Sequence, residues 1–215
     1  MKMNASELLQ VLKEKFGDQI DDRFYLPKAF WLGEKEMVKA VYLGCDPTNT
    51  NKNIRFDFAF SHGCMDKGFV TFRKKHLKQL EAIGLSWKTV YTQNLCRNYF
   101  KTETSKNKIW KQAAEMWIDV FREELDELFS TDIPVLLTSQ LLLDVLLKEE
   151  KRPDKYDALK FYDLTTPIPV PAVENKLERP LIPVYRGVNG RTRVSYQLNN
   201  FPDYIQKIRE ILPKG

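Results

Sequence analysis

The chain has 215 residues, of which 43% are hydrophobic and 12% aromatic, and its formal net charge is +5. This length allows a sizeable core, so we expect residues 1–215 to form a single domain. No apolar run approaches the roughly 20 residues of a membrane span, and three cysteines argue against a disulfide framework. We therefore expect a cytoplasmic monomer that does not bind a membrane.

Four short apolar runs predict strands, and amphipathic periodicity predicts helices between them. The strands are expected at 37–44, 88–95, 133–139 and 181–187, and the helices at 5–16, 70–83, 107–129, 139–150 and 200–212. Each interval between strands has room for a crossover helix, which indicates a four-stranded, mainly parallel sheet in a three-layer α/β/α sandwich. Ser6 is expected to cap the first helix, and Gly17 and Gly84 are expected to end helices.

The stretch 151–180 does not follow this alternation. It holds five of the eleven prolines, and its segment TPIPVP cannot be a helix or a central strand. We expect a long, partly extended excursion over the surface of the domain. It would serve either as a lid or as packing.

Charge is distributed unevenly along the chain. Residues 67–111 hold eleven basic and two acidic side chains, a balance of +9, whereas residues 112–150 hold two basic and ten acidic, a balance of −8. This asymmetry fits a face that meets polyanions, but composition alone favours two helices with ordinary solvated faces. His76 lies within the lysine-rich run and is expected at the surface.

Ligands of a parallel α/β sheet bind beyond the carboxyl ends of its strands. The loops there read GCDPTN, NLCRNYF, TSQ and YRGVNGRTR. The sequence has no phosphate-loop motif, dinucleotide-binding motif, nucleophile elbow or zinc pattern. Three kinds of candidate residue remain. Asp46 has a carboxylate that can accept a proton, and Phe58 or Phe60 offers an aromatic face. Asn94 has an amide that can hydrogen-bond the edge of a base. Each of them also has an ordinary structural interpretation, as a turn residue, a core residue or a strand cap.

These segments resemble the uracil-DNA glycosylase superfamily. VYLGCDPTNTNKNIRFDFAFS (41–61) is similar to its first motif, in which a strand ending in Gly-x-Asp-Pro precedes a polar loop and an aromatic–serine pair. VYTQNLCRNYF (90–100) resembles its second strand, which ends in an asparagine. IPVLLTS (133–139) and the segment that begins LIPVYRG (181–187) resemble its third and last strands.

The resemblance implies a DNA glycosylase that flips a deaminated or damaged base out of DNA and hydrolyses its N-glycosidic bond without a metal or cofactor. It implies that Asp46 positions the attacking water and stabilises the cationic sugar. Phe60 would stack on the base, and Asn94 would hydrogen-bond its Watson–Crick edge. Backbone amides around Cys45 and Asp46 would help to hold the carbonyl of the base.

Two departures from the family leave the activity and the base open. Where uracil-excising members carry His-Pro-Ser, this chain has Tyr-Arg-Gly, so Arg186 or Tyr185 is expected to stabilise the departing base anion. The aromatic residue that normally follows Asp-Pro is missing, and Thr48 and Asn49 stand in its place.

The DNA-binding residues are expected on two loops, with Arg191 and Arg193 on one and Lys106 and Lys108 on the other. Whether the DNA is single- or double-stranded stays open. Besides a glycosylase, the sequence allows a nucleic-acid- or nucleotide-binding module of the same fold without catalysis. It also allows a hydrolase of free nucleosides.

Overall fold

A computed structural model describes residues 3–21, 25–47, 54–148, 156, 158–162, 164–184 and 201–213. Within these residues the strands are β1 (Ala40–Gly44), β2 (Val90–Asn94), β3 (Val135–Leu137) and β4 (Leu181–Pro183). The α-helices there are α1 (Ala5–Phe16), α2 (Lys67–Ala82), α3 (Trp110–Leu128), α4 (Gln140–Leu146), α5 (Ala158–Tyr162) and α6 (Phe201–Ile211).

The four described strands form one parallel sheet in the order β2-β1-β3-β4. Gly44 pairs in register with Asn94, so the ends of β1 and β2 lie side by side. The predicted α/β fold with a parallel four-stranded sheet is confirmed, and each predicted strand and helix has its counterpart. The N-cap of α1 is Asn4 instead of Ser6, because Asn4 and Glu7 form a reciprocal capping box.

Helices α2 and α3 cover opposite faces of the sheet. Tyr42 in β1 points towards α2, where its hydroxyl lies 2.5 Å from Nδ1 of His76. Tyr91 in β2 points the other way and donates a 2.5 Å hydrogen bond to Glu124 of α3. Burial, with Glu124 beside it, raises the pKa of Tyr91, so this phenol stays protonated.

The opposite net charges of α2 and α3 therefore lie on opposite faces of the sheet. Helix α2 exposes lysines, and α3 exposes acids on the opposite layer. The exposed residues are Lys67, Lys74, Lys75 and Lys78 on α2 and Glu115, Asp119, Asp126 and Glu127 on α3.

The prediction that His76 lies at the surface is wrong, because its side chain is only 1% exposed. It packs edge-on against the rings of Phe60 and Phe72, with ring centroids 5.1 and 4.4 Å away. The many lysines of α2 obscure an inward face on which Phe72, His76 and Leu80 recur every four residues.

An extended segment before β1 covers the edge of the sheet beside β2. Phe30 and Thr92 exchange two backbone hydrogen bonds, each 2.9 Å long. Lys28 accepts a further bond, 2.8 Å long, from the backbone of Ala59. This segment therefore ties the chain around Ala59 to the edge strand β2.

The described part of 151–180 packs into the core, which favours packing over a lid. Phe161, Val170 and Leu177 are fully buried. Arg179 is also fully buried, and its guanidinium donates to the backbone carbonyls of Ser130 and Phe129 beyond the end of α3. This stretch therefore completes the core beside β4. Across the described ranges, no helix is both long enough and apolar enough to cross a membrane.

His62 gives the fold a testable pH dependence. Its ring stacks on Phe30 with centroids 3.6 Å apart and meets Trp87 edge-on. Burial, assisted by the positive charge of Arg73, lowers the pKa of His62 from 6.5 to about 3. Between these values the folded chain binds fewer protons at this site than the unfolded chain. The stability that depends on neutral His62 is therefore complete above pH 6.5 and is lost as the pH falls towards 3.

We predict that from about pH 7 to pH 5 the wild type loses about 1–2 kcal/mol more unfolding free energy than His62→Gln, which cannot titrate. Urea unfolding at several pH values measures both proteins. Equal pH slopes for the two would contradict the assignment of a neutral, buried His62.

Candidate functional site

A cavity of about 460 Å³ opens beyond the carboxyl ends of β1 and β2. Its walls come from the loop after β1, the turn 59–61, the start of α2, the loop 103–105 and the start of α4. This volume and location are typical of ligand sites in parallel α/β proteins. Asp46, Phe60 and Asn94, singled out from the sequence, all line it, and so does Cys45.

The missing side chain of Gly44 allows Asn94 and Phe60 to approach the end of β1. A Cβ atom on Gly44 would lie 2.3 Å from Oδ1 of Asn94 and 2.9 Å from Cζ of Phe60. Both side chains are nearly buried, at 4% and 7% exposure. An amide and an aromatic ring are thus fixed beside each other in one wall of the cavity.

The backbone at Phe60 is held in an unusual conformation. Phe60 has φ 55° and ψ 27°, and Ser61 follows with φ 57°. Two successive left-handed residues that are not glycine cost on the order of 1–3 kcal/mol each. The Ser61 hydroxyl donates a 2.6 Å hydrogen bond to the carbonyl of Phe60. This conformation brings the Phe60 ring to the cavity while Ala59 keeps its bond to Lys28.

Asp46 is oriented by a residue that sequence reasoning missed. Thr104 donates a 2.6 Å hydrogen bond from its hydroxyl to Oδ2 of Asp46. It belongs to the turn Thr104–Lys106 in the loop after β2, which also forms part of the cavity wall. The only sequence signal is a hydroxyl-rich loop, KTETSKN, at 101–107. The hydrogen bond between Thr104 and Asp46 forms only because the ends of β1 and β2 lie side by side in the folded chain.

Two cysteines, Cys45 and Cys96, lie just after the ends of β1 and β2. Cys45 is half-buried in the cavity wall, and its carbonyl accepts a 2.9 Å bond from the backbone of Cys96. Burial, together with the negative charge of Asp46, holds the pKa of the Cys96 thiol well above its usual range. Cys96 therefore stays neutral and adds no charge beside Asp46.

Aromatic side chains of α2 form the wall beside Phe60. Phe69 and Phe72 both line the cavity from the first turns of that helix and are half-buried. Leu141 of α4 lines the cavity as well and is 39% exposed. The cavity thus combines a largely apolar wall with a few polar groups, which suits a flat, partly polar ligand.

The predicted DNA-binding lysines lie on the loop that carries Thr104. Lys106 and Lys108 are both exposed, and Nζ of Lys106 is 3.8 Å from a carboxylate oxygen of Glu103, a residue of the cavity wall. Their contact with DNA stays a prediction. Tyr185, Arg186, Arg191 and Arg193 lie outside the described residues, and their roles also stay predictions. In the part of the chain that is described, no cluster of three or more His, Cys, Asp or Glu residues could hold a metal ion.

Comparison with known proteins does not identify a family: a scan against family models finds no match, and a search of curated proteins finds no significant relative.

Gly44→Ala tests the close approach at the end of β1. We expect the extra methyl group to push against Asn94 and Phe60 and to lower the unfolding free energy by about 1–3 kcal/mol. Urea unfolding measures this loss. Gly68→Ala is the control, because Gly68 is exposed in the first turn of α2 and should change stability by less than about 1 kcal/mol. A Gly44→Ala protein as stable as the wild type would show that the two side chains can move aside freely.

Proposed function

We propose that this protein is a DNA glycosylase, similar to those of the uracil-DNA glycosylase superfamily, which hydrolyses the N-glycosidic bond of a base flipped out of DNA. One observation carries the proposal: Asp46, Phe60 and Asn94 line the same cavity, although 48 residues separate the first of them from the last. A carboxylate can direct a water molecule, and an aromatic face and an amide can stack on and hydrogen-bond a flipped base.

In the proposed reaction the flipped base enters the cavity and stacks on Phe60. Asn94 hydrogen-bonds the edge of the base, because its amide offers both a donor and an acceptor. Asp46 orients a water molecule towards the sugar carbon and stabilises the positive charge that develops on the sugar. Thr104 holds one oxygen of Asp46, so the carboxylate is oriented before the substrate binds.

The departing base carries negative charge, so it needs a hydrogen-bond donor that stabilises the anion. Arg186 is proposed for this role, with Tyr185 as the alternative, because they come three and two residues after the end of β4 in sequence. The exposed Lys106 and Lys108, with Arg191 and Arg193, are proposed to bind phosphates of the DNA.

A strand-nicking assay tests the proposed function. Labelled duplexes and single strands containing uracil, hypoxanthine, xanthine or a thymine mismatch are incubated with protein and then treated with alkali. We expect the wild type to cut at least one substrate and Asp46→Asn to cut it at least about 10²–10³ times more slowly. The DNA affinity of Asp46→Asn should be unchanged or higher, because a negative charge is removed near the DNA.

Asp66→Asn is the matched control for Asp46→Asn. Asp66 is the exposed N-cap of α2, and its carboxylate accepts a bond from Gly68. Asn caps a helix as well as Asp does, so this variant should retain full activity. Equal turnover by Asp46→Asn and the wild type would show that Asp46 does not carry the chemistry.

If no strand is cut, the salt dependence of DNA binding distinguishes a nucleic-acid-binding module from a nucleoside hydrolase. A duplex-binding protein loses affinity with a log–log slope of about −0.9 for each phosphate neutralised. Salt-sensitive binding without cleavage would replace the proposal with a nucleic-acid-binding module. Hydrolysis of free nucleosides without salt-sensitive DNA binding would replace it with a nucleoside hydrolase.

Thr104→Val removes the hydrogen bond to Asp46 and keeps the shape of the side chain. We expect the single-turnover rate to fall about 10- to 100-fold, because a hydrogen bond to a charged group contributes about 1.5–3 kcal/mol. Thr104→Ser retains the hydroxyl and should stay within about threefold of the wild type. Equal rates for the Val and Ser variants would contradict a role for this hydrogen bond.

A further inference from the structure

The left-handed turn at Phe60 and Ser61 needs a partner that holds it in place. L-residues rarely adopt this conformation, and two in succession relax unless the surroundings fix them. Because the turn carries the ring that is proposed to stack on the base, the element that fixes the turn also controls the site.

Arg73 of α2 is attached directly to this turn. Its Nη1 donates a 2.5 Å hydrogen bond to the carbonyl of Ser61, and its Nη2 donates a 2.7 Å bond to the carbonyl of Cys64. One guanidinium thus bridges two backbone groups on either side of His62 and Gly63. Hydrogen bonds from a charged donor are stronger than neutral ones.

The surroundings of Arg73 differ from those of its basic neighbours. Lys74 and Lys75 are exposed, whereas Arg73 is half-buried and turns towards the 61–64 backbone. Among the described residues, no acidic side chain forms an ion pair with Arg73. Its charge is therefore directed at carbonyl dipoles of this one turn.

The Phe60 ring depends on the turn for its position. It packs against Tyr42 and His76, with centroids 5.1 Å away in each case, and against Phe72 at 6.3 Å. It also comes within 2.9 Å of the point where a Gly44 Cβ would lie. With so little space on that side, a backbone shift at Ser61 changes the alignment of the ring with Asn94.

We propose that Arg73 is a positioning residue of the site, which holds the left-handed turn and thereby aligns Phe60 with Asn94 for stacking on the substrate base. The proposal deepens the proposed function and rests on it for the identity of the ligand. Arg73 thus has a role inside the site, whereas its positive charge alone would place it on the DNA-binding surface.

Removal of Arg73 should leave a folded protein. The turn keeps four other hydrogen bonds, from His62 N to Ala59 O, from Cys64 N to Ser61 O, from the Ser61 hydroxyl to Phe60 O and from Ala59 N to Lys28 O. Arg73→Ala is therefore expected to loosen the turn locally. Arg73→Lys retains the charge but cannot bridge two carbonyls with the planar fork of arginine.

The experiment compares Arg73→Ala and Arg73→Lys with Lys74→Ala, which removes the same charge from an exposed neighbour. Amide hydrogen exchange at 59–64 is measured without DNA, together with thermal unfolding. Single-turnover rate, DNA affinity and its salt slope are measured on the best substrate from the nicking assay.

We expect Arg73→Ala to exchange faster at 61–64 and to lower the single-turnover rate about 10-fold or more, since two charge-assisted hydrogen bonds are lost. Its DNA affinity and salt slope should stay at wild-type values. Arg73→Lys should recover part of the rate. Lys74→Ala should keep the wild-type exchange and rate.

Three results would overturn the proposal. Faster exchange with an unchanged rate would show that the alignment of Phe60 does not matter for turnover. A weaker DNA affinity with a salt slope reduced by about one phosphate would make Arg73 a DNA contact. A rate loss that tracks global unfolding and disappears on cooling would make Arg73 a residue of general stability.

Failure of the proposed function can be told apart from failure of this inference. A wild type that acts on no base refutes the glycosylase. The positioning role is then decided by exchange at 61–64 and by NMR shifts of the Phe60 ring, measured with and without added free bases. Unchanged exchange and unchanged ring shifts in Arg73→Ala would overturn the positioning role whatever the wild type catalyses.

Discussion

At the end of β1, Gly44 allows the Asn94 amide and the Phe60 ring to come within 3 Å of a single point, and the other parts of the site are arranged around that point. The register of β1 with β2 brings Asn94 there, and the left-handed turn brings Phe60. Asp46 follows Gly44 by two residues, so its carboxylate opens into the same cavity. A side chain at position 44 would therefore disturb two groups of the proposed base site together.

Helix α2 supports this arrangement from one face of the sheet. Its inward side gives the site Phe69 and Phe72 as walls, His76 as an edge-on neighbour of Phe60, and Arg73 as a bridge to the turn. These contacts fall on successive turns of one helix, so α2 acts as a single rigid backing. Residues of the turn thus lie against a helix that holds them in place, and precise sites are commonly supported by such elements.

Much of the fold could be predicted from the sequence because its signals are local. Strand runs, helical periodicity and the glycines after α1 and α2 depend on neighbouring residues, and they located the elements to within a few residues. Asp46, Phe60 and Asn94 followed from one further rule, that ligands bind at the carboxyl ends of parallel strands. Thr104, Arg73 and buried His76 could not be predicted, because each depends on a partner 12 to 58 residues away. Such pairings exist only after the chain has folded, although the four-residue spacing of Phe72, His76 and Leu80 does signal an inward face of α2.

Within the described residues, the exposed lysines of α2 and the exposed acids of α3 place opposite charge on the two faces of the sheet. In the field of a polyanion, an object with such a dipole experiences a torque that turns its positive layer forward before any contact forms. The aromatic wall of the cavity belongs to that layer, whereas the loop with Glu103 and the start of α4 line other parts of the cavity. The charges of these two helices would therefore turn the Phe69 and Phe72 side of the cavity towards a polyanion.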